Sequence, residues 1–84
     1  MFYGIIIRLF YFDSKRHHEP HIHAEYQEQS AVISITSGQI IDGSISQTKL
    51  RLVQAWIEIH KEELLADWKL ALEGQPVFKI EGLK

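Results

Sequence analysis

The sequence predicts an α+β domain, a four- to five-stranded, mainly antiparallel sheet packed on one face by a C-terminal helical segment. That segment is read as one broken helix or two helices. Three observations carry this reading. Apolar and polar residues alternate with a period of two through residues 21–26 and 31–36. Beyond Ser46 the apolar residues Leu50, Val53, Ile57, Leu64, Trp68 and Leu72 recur with helical spacing instead. At 84 residues with 45% apolar side chains and no cysteine, the chain makes a single domain, 1–84, near the small end of what a core holds together without disulfides.

The elements follow in order. Residues 5–12 are β-branched and aromatic around Arg8, bounded by Gly4 and the turn-prone Asp13-Ser14, and read as a buried strand. They are too short to span a bilayer and lack the start and cleavage site of a signal peptide, so a cytoplasmic protein without membrane association is expected. Pro20 forces Glu19 into extended geometry and opens a second strand over 21–26, with Ile22, Ala24 and Tyr26 on one face and His21, His23 and Glu25 on the other. A third strand over 31–36 turns Ala31, Ile33 and Ile35 inward and ends at Ser37-Gly38. Residues 40–45 make a fourth, interrupted by Asp42-Gly43 as a bulge or a turn.

Ser46 is the expected N-cap and Gly74, with Pro76 beyond it, the expected stop after Glu73. A continuous helix over that stretch would be roughly 40 Å long, more than so small a domain needs. The His60-Lys61-Glu62-Glu63 run is therefore expected to break it. Residues 77–80 are candidates for a final edge strand.

Four of the five histidines fall within residues 17–23, His17, His18, His21 and His23. Imidazole serves as a neutral metal ligand, a hydrogen-bonding group or a general acid and base near neutral pH, so the cluster fixes a place rather than a chemistry. As a metal centre, His17, His21 and His23 would hold Zn²⁺ and leave water in the fourth position. As proton-transfer groups, His21 and His23 are the candidate catalytic pair, beside an anion-binding run of Lys15, Arg16 and His18. As a polar face, the histidines would pair with Glu19, Glu25 or Asp42. With nine Lys plus Arg against eleven Asp plus Glu, general DNA binding is not expected, while an anionic ligand or RNA fits the local basic run. No cofactor beyond zinc is indicated.

Several classes are disfavoured. No glycine-rich phosphate loop and no Gly-x-Ser-x-Gly elbow is present. Glu25 stands where a histidine-triad nucleotide hydrolase needs its third alternating histidine, and the second histidine motif of a cupin has no counterpart. Trp56, Trp68 and His60 read as core or helix-end residues rather than ligand platforms.

The string Pro20-His21-Ile22-His23-Ala24, with His17 before it, resembles the signature of the small bacterial proteins grouped as domain of unknown function 4160. The Gly4-Ile5-Ile6-Ile7 strand and the Glu63-Leu64-Leu65-Ala66-Asp67-Trp68 helix are similar to that family's flanking elements. The chain departs from the pattern at Glu19, where a proline is typical, and the resemblance implies a short Pro-containing lead ahead of Met1. It also implies a small binding or regulatory module with a small protein partner, one component of a two-gene pair of toxin-antitoxin type. The alternative is a histidine-dependent nuclease or metal-dependent hydrolase.

Overall fold

The computed structural model describes residues 2–9 and 19–83. Among them the element order is β1 (Ile6–Arg8), β2 (His21–Tyr26), β3 (Gln29–Ser34), β4 (Ile40–Ser44) and α1 (Gln47–Leu72). The four strands form one antiparallel sheet in chain order. The inward face, Ile5, Ile7, Ile22, Ala24, Ala31, Ile33 and Ile35, is buried with Val53, Trp56, Ile57 and Leu64 of α1 and Ile80 beyond it.

Residues 5–12 were expected to form one buried strand. Instead β1 is three residues long, and it alternates: Ile5 and Ile7 are fully buried while Ile6 and Arg8 are half-buried. An edge strand covered on one face shows this alternation, whereas burial on both faces would make a continuous apolar run. Residues 10–12 lie outside the described residues. The third strand begins two residues earlier than expected, at Gln29, because a two-residue loop, Gln27-Glu28, joins it to β2. Gln27 takes φ +55° there, a conformation usually signalled by glycine or asparagine and invisible in this sequence.

Between Val32 and Ile33 the β3–β4 register slips by one, leaving Ile41 as the bulged residue. Gly43 follows at φ +75°, and a Cβ there would lie 2.4 Å from the Ser30 carbonyl oxygen, so this strand passes its neighbour only as glycine.

Ser46 caps α1, its hydroxyl accepting from the Lys49 amide at 3.4 Å. Gly74 at φ +72° ends the helix, with the Gln75 amide donating to Leu70 O and the Gly74 amide to Ala71 O, the paired bonds of a Schellman motif. The expected break falls at His60, whose φ −107° and ψ 16° interrupt an otherwise single helix. Past it the buried positions are Leu64, Asp67, Trp68 and Ala71. Leu72, expected in the core, is 51% exposed because it lies one step beyond that stripe. Residues 77–80 do not form the expected strand. Ile80 is buried, and among the described residues the chain meets the sheet through one parallel bridge, Ile7 to Leu83.

Candidate functional site

The site begins with the alternation of β2. Ile22 and Ala24 are fully buried in the core, which leaves His21, His23 and Glu25 for the opposite face. The two imidazole centroids lie 5.5 Å apart. Cross-strand register completes that face: Arg8 of β1, His23, Val32 of β3 and Asp42 of β4 make one row, and Ile6, Glu25, Ser30 and Ser44 the next. His23, Glu25, Ser30, Val32 and Asp42 line a shallow concavity of about 270 Å³. The Arg8 guanidinium lies 3.9 Å from the Glu25 carboxylate, with both side chains more than a third exposed, so the pair orients the face more than it stabilises it.

His21 is fully buried although it belongs to the same face, and Trp68 of α1 packs against it. The rings meet edge to face with centroids 4.8 Å apart. The His21 Nδ1 lies 2.8 Å from the Glu19 backbone carbonyl oxygen. A carbonyl only accepts, so Nδ1 carries the proton, and in the neutral ring Nε2 is the acceptor. The Glu19 carboxylate accepts from the hydroxyl of Ser34, the cross-strand partner of His21, at 2.9 Å, while that hydroxyl accepts from the Ser37 amide at 3.1 Å. The Ile35 amide donates to the Pro20 carbonyl at 2.9 Å. The bonds from Ser34 to Glu19 and from Ile35 to Pro20 thus tie the entry of β2 to the exit of β3.

Sequence reasoning brought His21 and His23 together, and the structure places them side by side in different environments. His17, the third proposed ligand, and the proposed anion-binding residues Lys15, Arg16 and His18 lie outside the described residues. Among the described residues no three His, Asp or Glu side chains converge as metal ligands. The sequence pattern did not show Ser34 as the partner of Glu19, Trp68 as the ring against His21, or the full burial of Asp67, whose Oδ1 accepts from the Phe78 amide at 2.9 Å while Oδ2 has no hydrogen-bond partner among the described residues. Glu19 is exposed, and a carboxylate that water can reach announces no partner, so the departure at Glu19 gave no sign of Ser34.

The family described as Domain of unknown function (DUF4160) matches residues 4–69, a span that holds every strand of the sheet, the histidine pair and Trp68. The chain belongs to this family. No curated protein and no solved structure matches it. The DUF4160 match takes in Glu19, Ser34, His21 and Trp68, so the contacts that close over His21 fall inside the family region.

Proposed function

We propose that this chain is a small bacterial, cytoplasmic binding or regulatory module, one component of a two-gene pair of toxin-antitoxin type, acting through a small protein partner. One observation carries the reading: Tyr3, Ile59 and Phe78 are 68%, 75% and 69% exposed, and Leu72 and Val77 about half exposed, in a chain of only 84 residues. Large apolar side chains held in water in such number suit a surface that a partner covers. Among the described residues, no helix is long and apolar enough to cross a membrane. Co-expression with the product of the neighbouring reading frame tests the proposal. A one-to-one complex by light scattering, with reduced backbone amide exchange at those residues, supports it. Separate elution of the two chains at micromolar concentration counts against it.

A second reading, a histidine-dependent nuclease or metal-dependent hydrolase, is favoured by one feature. The Glu19 carbonyl fixes His21 as the tautomer whose Nε2 accepts, the arrangement that ligating and proton-accepting imidazoles share. In this reading His17 would join His21 and His23 around Zn²⁺, or His21 and His23 would move protons while Lys15, Arg16 and His18 bind phosphate or RNA. Imidazole resonances of His21 and His23 that move on adding Zn²⁺, phosphate or a short RNA, and cease to move in His17→Ala, would favour it. Resonances that stay in place would remove it.

A further inference from the structure

At the helix break at His60 a cleft lies between α1 and the segments at Phe2 and at Glu81-Gly82. Trp56, only 2% exposed, forms the floor. Its indole N–H donates to the Glu81 carbonyl at 3.0 Å, and Gly82 at φ +90° passes so close that a Cβ would lie 2.6 Å from that nitrogen. One wall is Phe2, its ring 6.4 Å from Trp56, with Tyr3 edge-on to it at 4.9 Å. His60, its ring 5.1 Å from Trp56, and Ile59 make the other wall. The cleft holds about 290 Å³. At Ile59 it meets a second concavity, of about 370 Å³, bounded by Glu58, Lys61, Glu62 and Glu63.

An aromatic floor with an exposed isoleucine at its lip suits an apolar anchor. The rim sets the charge of whatever carries that anchor. Glu81 lines the cleft itself, and Glu58, Glu62 and Glu63 line the adjoining concavity together with Lys61, which lies 4.0 Å from Glu58. Glu63 is shared with His60 at 3.0 Å. We infer that this cleft docks a peptide segment of a partner protein in which a large apolar side chain is flanked by lysine or arginine. A second copy of the chain is the poorer occupant. A twofold contact sets the same patch against itself, so it would bring the two acidic rims together.

The inference rests on the binding-module reading but has its own test. Two synthetic peptides serve as probes, Lys-Lys-Leu-Trp-Lys-Lys and Glu-Glu-Leu-Trp-Glu-Glu, titrated into the isotope-labelled chain. The basic peptide is expected to shift the amides of Ile59 and Gly82 and the Trp56 indole N–H, and to bind about tenfold more tightly than the acidic one at low salt, a margin that shrinks as salt rises. Ile59→Ser and the pair Glu58→Lys with Glu62→Lys should each weaken that binding about tenfold without moving the melting temperature, since these side chains face solvent. Equal binding of the two peptides, shifts confined to the face around His23, or dimerisation through the cleft that Ile59→Ser abolishes would each overturn the proposal. If the neighbouring gene product binds but leaves Ile59 and Gly82 unprotected, the cleft is wrong and the module reading stands. If that product does not bind while the basic peptide docks as expected, the reverse holds.

Discussion

The two halves of α1, before and after His60, are docked by different chemistry. In the first half, Val53, Trp56 and Ile57 share an apolar core with the isoleucines of the sheet, and its polar contacts are side-chain donors that reach outlying carbonyls, the Gln54 amide to Gly38 and the Trp56 indole to Glu81. In the second half Leu64 continues that core, but Trp68 meets an imidazole and Asp67 receives a backbone amide. Apolar docking tolerates rearrangement, since any well-filled interface of similar volume serves. Polar docking does not, because each group must find its own partner. The entry of β2 and the second half of the helix therefore meet through His21 and Trp68. Part of the role of the histidine pair is architectural.

The largest expected effect tests that contact directly. Trp68→Ala should cost about 3–5 kcal/mol, because the ring is only 5% exposed and its removal leaves a large buried volume. For so small a domain that is most of its stability, and the variant should melt far below the parent or fail to fold. A melting temperature within a degree or two of the parent would show that the second half of the helix is not docked there.

His21→Ala comes next, at about 2–3 kcal/mol, since it removes both the buried ring and the bond to the Glu19 carbonyl. The double variant sharpens the comparison. If the two rings act as one contact, Trp68→Ala and His21→Ala together should cost less than their sum, by about 1 kcal/mol. Additive losses in chemical denaturation would mean that the edge-to-face approach contributes nothing of its own.

The first half of the helix was legible in sequence and much of the second was not, for the same reason. Apolar contacts announce themselves through period, so Val53, Ile57 and the inward set Ile22, Ala24, Ala31 and Ile33 follow from the spacing of apolar residues along the chain. Local backbone chemistry was equally legible: Ser46 as cap, Gly74 as stop, and the break near His60 all depend on residues within one turn of where they act. Asp67 could not be read this way. It looks like one more surface acid between Ala66 and Trp68, and its burial depends on residues eleven positions on folding back across the helix to offer the Phe78 amide. The Glu19 to Ser34 bond spans fifteen positions and was hidden for the same reason, although the two residues sit at adjoining ends of β2 and β3.

Asp67→Ala should have a smaller effect, about 1 kcal/mol, because Phe78 is 69% exposed and its released amide can turn to water. Its more specific signature is local: the Phe78 amide should exchange with solvent many times faster while amides of the β-sheet core remain protected. Unchanged exchange at Phe78 would mean that the segment over the helix is held by the burial of Ile80 and the Trp56 to Glu81 bond without help from Asp67.

The smallest expected effect on stability is the most informative about function. His23 lies two residues from His21, on the same face of the same strand, but it is only half-buried and borders the concavity shared with Glu25, Ser30 and Asp42. Its backbone bonds to β1 and β3 belong to the sheet and survive replacement of the side chain. His23→Ala should therefore shift stability by no more than about 0.5 kcal/mol, against several times that for His21→Ala. A loss as large as that of His21 would make both histidines architectural, and would leave the apolar cleft at His60 as the surface through which the chain acts. If stability is kept while binding of phosphate, Zn²⁺ or RNA falls, the division runs along β2 itself: one histidine holds the helix, and the next faces the ligand.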